Sequence, residues 1–170
     1  MTDIVIEDGS IVTGANSYAT ISGVGVYADT YGNSDWSDAT ETVQNQSLFR
    51  GMRYIEGLSF KGDRQTEGQD LEFPRSDLYD RDGYLLDQNT IPAKLVSAVY
   101  EATLSSLPDT DLELQSSRTR DDYKKKTDIA GVIVEEWYMS ANGIRNSSRI
   151  IQDLLKGYLN STTIVEVQRG

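Results

Sequence analysis

The sequence predicts a mainly α-helical fold: a small four-helix bundle with a β-hairpin and extended terminal arms. Three observations predict it. Apolar residues recur at spacings of three and four in four separate windows, the pattern of helices that bury one face. Two apolar and β-branched runs between residues 123 and 138 flank a Gly-containing turn, which reads as a hairpin. The two ends, residues 1–15 and 159–170, carry short apolar patches among Gly, Ser and Thr without helical spacing. Four segments follow: an N-terminal arm (1–15), a helical core domain (16–107) with a long inserted loop (60–90), a section of linker, hairpin and C-terminal helix (108–158), and a tail (159–170).

The first helix is expected over 20–31, where Ile21, Val24, Ala28 and Tyr31 share a face. Thr20 or Ser22 can cap its start, because a side-chain oxygen there accepts an otherwise unpaired backbone N–H. Gly32 suits the left-handed turn at its end. Gly23 and Gly25 each weaken it by about 1 kcal/mol relative to Ala, so packing must hold it. Trp36, in the loop that follows, anchors that loop to the core. The second helix, 39–58, opens on Asp38 and Glu41, a capping-box-like start. Leu48, Met52 and Ile55 form one ridge; Val43, Ser47, Gly51, Tyr54 and Leu58 form the next, with Gly51 allowing a close helix crossing.

Residues 60–90 read as a long pinned loop. Phe60, Leu71, Phe73, Leu78, Tyr79, Tyr84, Leu85 and Leu86 are anchors that a disordered linker would lack, and Asp82-Gly83 marks a tight turn. Such a loop in a compact domain is usually functional. The third helix spans 91–107, with Pro92 in its first turn, a buried stripe of Leu95, Ala98, Val99 and Ala102, and a stop at Pro108. Residues 123–127 and 132–138 form the hairpin. The fourth helix, 147–158, turns Ile150, Ile151, Leu154, Leu155 and Tyr158 one way. Ile164, Val165 and Val167 in the tail suit addition as a strand to another subunit.

The composition removes whole classes of chemistry. There is no Cys and no His in 170 residues, hence no disulfide, no thiolate nucleophile and no Cys/His metal site, and no catalytic triad that needs an imidazole. No run approaches the ~18 apolar residues of a membrane span. The N-terminus is acidic where a secretory signal is basic, so the expected place is the cytoplasm of the producing cell, with no membrane partner. The net charge of −11 repels nucleic acid over most of the surface. That acidity either keeps a concentrated protein soluble or, in a ring of copies, lines a negative tunnel through which DNA slides without sticking.

The remaining constellations are weak as catalytic or metal sites. Taking Gly83 as the sixth position of a calcium loop puts Asp82 fifth and Asp80 third, but Leu78, with no side-chain oxygen, then stands first, and Asn89 stands twelfth, where a bidentate Glu is needed. Glu67, Asp70 and Glu72 offer carboxylates, with nothing that would push two of them into the different environments acid–base work requires. Gly23-Val24-Gly25 lacks the rest of a phosphate loop. The chain is therefore read as no enzyme, with no cofactor.

Two patches bear on binding. Arg118, Arg120, Lys124, Lys125 and Lys126 stand with Asp121 and Asp122 in a segment of charge +3; Tyr123 within it could stack on a base. The plainer reading is a solvated strand, or one paired with an acidic neighbour. Trp137-Tyr138-Met139 is either core or a subunit contact, since aromatics and Met are enriched in interface cores.

The order of features carries a resemblance. Asn16-Ser17-Tyr18-Ala19-Thr20-Ile21 opens the first helix and Trp36 follows. The second helix holds Arg50-Gly51-Met52-Arg53-Tyr54-Ile55-Glu56, then Phe60-Lys61-Gly62. Next come Gln69-Asp70-Leu71-Glu72-Phe73-Pro74-Arg75, Tyr79-Asp80-Arg81-Asp82-Gly83-Tyr84 and Ile91-Pro92. This series resembles a phage family labelled DnaT-like single-stranded-DNA-binding protein, whose members look like head–tail adaptor (head-completion) proteins of tailed bacteriophages. The resemblance covers residues 16–107 best. Its most specific part is the Leu-x-Phe-Pro-Arg segment with the aspartate-rich turn. Phe73 stands where Trp is common.

The resemblance implies a structural virion protein at the phage neck, made in the host cytoplasm. Its subunits form a ring, commonly a dodecamer, between the portal protein and a tail-side connector, stopper or tail-terminator protein. DNA passes through the channel unbound. Phe73, Pro74 and Arg75 would then shape the bundle or a subunit interface, and Trp137, Tyr138 and Met139 a subunit or portal contact. The alternative is a single-stranded-DNA-binding, replication-associated protein that uses Arg118, Arg120, Tyr123, Lys124, Lys125 and Lys126.

Overall fold

The computed structural model describes residues 3–108, 123–129, 132–138 and 147–160, with side chains described for 3–108 and 149–160. Five helices form among them: α1 (Ile21–Tyr31), α2 (Asp35–Asp38), α3 (Glu41–Glu56), α4 (Ala93–Leu104) and α5 (Ser147–Leu155). Two antiparallel strand pairs accompany them, β1 (Asp63–Arg64) with β2 (Arg75–Ser76), and β3 (Tyr123–Ile129) with β4 (Val132–Tyr138). The described chain is thus mainly helical with a small hairpin. Where four helices were expected there are five, because the residues around Trp36 wind into the single turn α2 rather than a loop. Trp36 is buried, and its carbonyl accepts Gln44 Nε2–H at 2.9 Å.

The helical spacing translates directly into packing. On α1, Thr20 is the N-cap, its Oγ1 accepting the Gly23 N–H at 3.0 Å, and Val24 and Ala28 are buried. On α3 the cap is Thr40, not the expected Asp38 and Glu41 pair, and the buried ridge is Leu48, Met52 and Ile55 with Ser47 and Gly51 beside it. On α4 the predicted stripe of Leu95, Ala98, Val99 and Ala102 is fully buried. A Cβ on Gly51 would lie 2.7 Å from the Thr103 backbone nitrogen, so α3 and α4 cross with their backbones nearly in contact. Helix α5 buries Ile151 and Leu155 in the same core. The last turn of α4 carries three hydroxyls, and those of Thr103, Ser105 and Ser106 each donate to the carbonyl four residues back at 2.7 Å. Three polar groups are thereby satisfied locally at a buried helix end.

Residues 3–15, in the segment 1–15 expected as an arm apart from the core, lie against the body. Glu7 is buried; its carboxylate accepts the N–H groups of Gly9, Ile11 and Val12 at 2.8 to 2.9 Å. The loop curls around this one side chain, which satisfies three backbone donors at once. Gly14 N–H donates to Asp70 at 2.8 Å, Ala15 is in the core, and Ile4 and Val12 pack on it. At the other end of the described chain, Asn160 N–H donates to the Ser59 carbonyl and Lys61 N–H to the Tyr158 carbonyl. These bonds hold the start of the 60–90 loop beside the end of α5.

Candidate functional site

The 60–90 loop divides into an inner and an outer half. The inner half holds the Leu-x-Phe-Pro-Arg segment. Phe73 is 1% exposed, Pro74 is fully buried and Leu71 and Leu78 are in the core. The Phe73 ring meets Tyr18 edge-on at 6.2 Å and Phe60 edge-on at 4.9 Å. The Phe73–Pro74 peptide bond is cis. Arg75 is buried too, and its guanidinium donates to the carbonyls of Lys61 (2.8 Å), Gly62 (2.7 Å) and Glu72 (3.2 Å) and pairs with the Glu72 carboxylate. These three residues, expected to shape either the bundle or a subunit interface, face the chain's own interior and offer almost no surface to a neighbour.

Glu56, at the end of α3, fastens that segment to the helices. Its Oε1 accepts the Tyr18 hydroxyl at 2.7 Å and its Oε2 accepts the Glu72 N–H at 2.8 Å; the Tyr18 oxygen in turn accepts the Phe73 N–H at 2.9 Å. Burial pushes the Glu56 carboxyl above the ordinary range, against the Tyr18 and Glu72 hydrogen bonds that favour its charged form. Burial first, and Glu56 second, hold the Tyr18 phenol far above its usual value. The Tyr18 hydroxyl, the Glu56 carboxylate and the N–H groups of Glu72 and Phe73 satisfy one another and tie the loop to the end of α3. The knot is structural.

The outer half is an acidic hairpin tip. Asp80 and Tyr84 are joined by a backbone bond from Asp80 N–H to the Tyr84 carbonyl at 2.8 Å, and Leu86 N–H donates to Leu78 at 2.8 Å. The Asp80 carboxylate accepts the N–H groups of Asp82 (2.9 Å) and Tyr84 (2.8 Å). Gly83 takes φ +87°, the left-handed region that favours glycine. Asp80 therefore serves the turn itself, and among the described residues no three acidic side chains come together as a metal-ligand set. Around this frame Tyr79, Tyr84 and Leu85 are 50%, 72% and 61% exposed. Tyr79, Tyr84 and Leu85, expected to anchor the loop, are therefore not buried. Their position on either side of an Asp-Gly turn is the signal that points the other way, since the tip of a two-stranded turn has no core beneath it.

The basic run and the aromatic cluster belong to the hairpin. Arg118, Arg120 and Met139 lie outside the described residues. Tyr123, Lys124, Lys125 and Lys126 are in β3, and Trp137 and Tyr138 in β4. The register pairs Tyr123 with Tyr138, Lys124 with Trp137, Lys125 with Glu136 and Lys126 with Glu135. Residues 123–138 contain three lysines and three acids, Asp128, Glu135 and Glu136. The register thus sets two of the three lysines across from glutamates. The count of +3 for residues 118–126 did not include this second strand.

Elsewhere, an open depression of about 600 Å³ is lined by Asp35, Asp38, Ala39, Thr40, Val43, Leu107 and Pro108. It holds two exposed aspartates and no second type of catalytic group. No helix among the described residues is long and apolar enough to cross a membrane.

No curated protein and no solved structure matches the chain. A family model described as "Putative DnaT-like ssDNA binding protein" matches residues 2–170. That match spans nearly the whole sequence, including the inner loop, the acidic tip and the hairpin, and the chain belongs to this family.

Proposed function

We propose that the chain is a structural virion protein of a tailed phage, an adaptor subunit whose ring joins the portal to the tail-side connector and lets DNA pass. Charge distribution carries this reading. Residues 1–108 contain 17 acidic and 7 basic residues, a charge of −10 out of −11 for the chain. Strands β3 and β4 add no net positive charge. A single-stranded-DNA groove needs a cationic track along the backbone with aromatic platforms above it. A channel that DNA must traverse needs the opposite, a wall that does not hold phosphates. In this reading α1, α3, α4 and α5 are the four-helix bundle that stands side by side in the ring, and the hairpin and tail reach neighbouring subunits. Trp137, Tyr138 and Met139 are the residues proposed for subunit or portal contact.

The test is to quantify the protein in purified particles by mass spectrometry against the portal protein. A ratio near one per portal subunit is expected. Its absence from finished particles, with abundance in the producing cells, overturns the reading. A second reading follows from the family description, single-stranded-DNA binding through the basic run. It expects salt-sensitive binding of an oligonucleotide that is lost on reversing Lys124, Lys125 and Lys126 to Glu. Binding that survives this reversal removes it.

A further inference from the structure

We infer that the acidic tip of the 60–90 loop is a preformed plug that docks into an apolar, basic-rimmed socket on a different protein. Three observations meet there. Tyr79, Tyr84 and Leu85 are large and at least half exposed. The backbone that presents them is held by its own hydrogen bonds and by Asp80. The tip is also backed by the end of α5, where a Cβ on Gly157 would stand 3.2 Å from the Arg81 nitrogen. Rigid presentation lowers the ordering cost of binding, and exposed aromatics in a fixed loop are the residue type that dominates interface energies.

Charge selects the occupant. Residues 77–87, which carry the three exposed side chains, hold Asp77, Asp80, Asp82 and Asp87 against a single Arg81. Tyrosines could stack on bases, but four carboxylates beside them repel phosphates, which disfavours nucleic acid. A second copy of the chain is a poor match as well. Residues 1–108 of that copy carry a charge of −10, and the register sets its Lys125 and Lys126 across from Glu136 and Glu135. A basic-rimmed socket on another protein suits both the exposed apolar side chains and the acidic excess of the tip. This inference rests on the assembly reading above for where such a partner would be met.

The experiment uses the full chain with a benzophenone amino acid at position 84, produced in the cells where the protein is normally made and in the particles they release. Cross-linked peptides are mapped by mass spectrometry. The expected product joins position 84 to one protein other than this chain, on a peptide with two or more Lys or Arg near the adduct. Asp82→Lys, at an exposed tip position, is expected to cut the yield about tenfold, the scale of one lost interface contact, without changing Tm. Adducts confined to other copies of this chain, adducts to nucleic acid, no adduct, or an unchanged yield with Asp82→Lys each overturn the inference. The adaptor reading fails separately: the defined adduct in cells, with the protein missing from particles, removes the adaptor and keeps the plug.

Discussion

Phe73 and Tyr84 lie eleven positions apart in one loop, each an aromatic flanked by carboxylates and an arginine or glycine, yet one is buried and the other 72% exposed. The difference lies in what the surrounding backbone is bonded to. Around Phe73 the loop is tied outward to distant elements, through Tyr18 and Glu56. Around Tyr84 the hydrogen bonds run within the loop, most of them to Asp80. A loop bonded to the body is pulled into the core with its aromatic side chains; a loop that closes on itself stands out and presents them.

The largest effect should come from emptying the inner half. Phe73→Ala removes a ring packed between Tyr18 and Phe60 in a fully buried site, and should cost about 3–5 kcal/mol. Urea denaturation followed by tryptophan fluorescence measures it. A cost below about 1 kcal/mol, the range of partly exposed positions, would erase the distinction between the two halves.

Next come the two residues that let the inner half and the helices close up. Gly51→Ala forces a methyl to within 2.7 Å of the Thr103 backbone and should cost about 1–3 kcal/mol through overpacking. Arg75→Ala removes the charged donor to the part-buried carbonyls of Lys61 and Gly62, and should cost a similar ~1–3 kcal/mol for lost charge-assisted hydrogen bonds. Arg75→Lys should recover little, because one ammonium cannot repeat the planar fork that reaches three carbonyls. If Lys restores full stability, the Arg75 geometry is incidental.

A smaller effect follows from the knot at Glu56. Burial holds its folded-state pKa above the ordinary value of 4.5. A carboxyl raised in the folded state binds its proton more readily there than in the unfolded chain. Its contribution to stability is therefore fully present below about 4.5 and is lost as the pH rises through the raised value. Wild type should gain on Glu56→Gln as the pH falls from 7 toward that range. Parallel pH profiles of unfolding free energy for the two proteins would show that Glu56 titrates alike in both states, against the burial effect.

Much of the core was legible because its causes are local. Leu95, Ala98, Val99 and Ala102 sit on one helical face by spacing alone, and all four are fully buried. Gly51, read as a close crossing, lies against the backbone of α4. The loop was legible only as pinned. Which half turns inward depends on Glu56 and Tyr18, 16 residues from Glu72 and 55 from Phe73, and spacing within the loop carries no trace of them. The same holds for Glu7, an acid in a stretch that reads as an arm, whose burial depends on three N–H groups converging after the chain has curled. The candidate basic site failed to stand out from its surroundings for another reason. Its neutralising glutamates were visible in sequence, but only the strand register sets Glu136 across from Lys125 and Glu135 across from Lys126.

The smallest effect sharpens the comparison most. Tyr84→Ser and Leu85→Ser remove exposed apolar surface that touches no core, and each should change the unfolding free energy by no more than ~0.5 kcal/mol. A fold that loses nothing when these side chains are cut gains nothing by keeping them. Exposed apolar groups also carry a solubility cost, since contiguous patches of them invite association. A tip that is neutral for stability and costly for solubility has to be explained by what it touches outside the chain. Were either serine variant to lose more than ~1 kcal/mol, well outside the range of exposed sites, the tip would belong to the folding unit. The outer half would then need no partner.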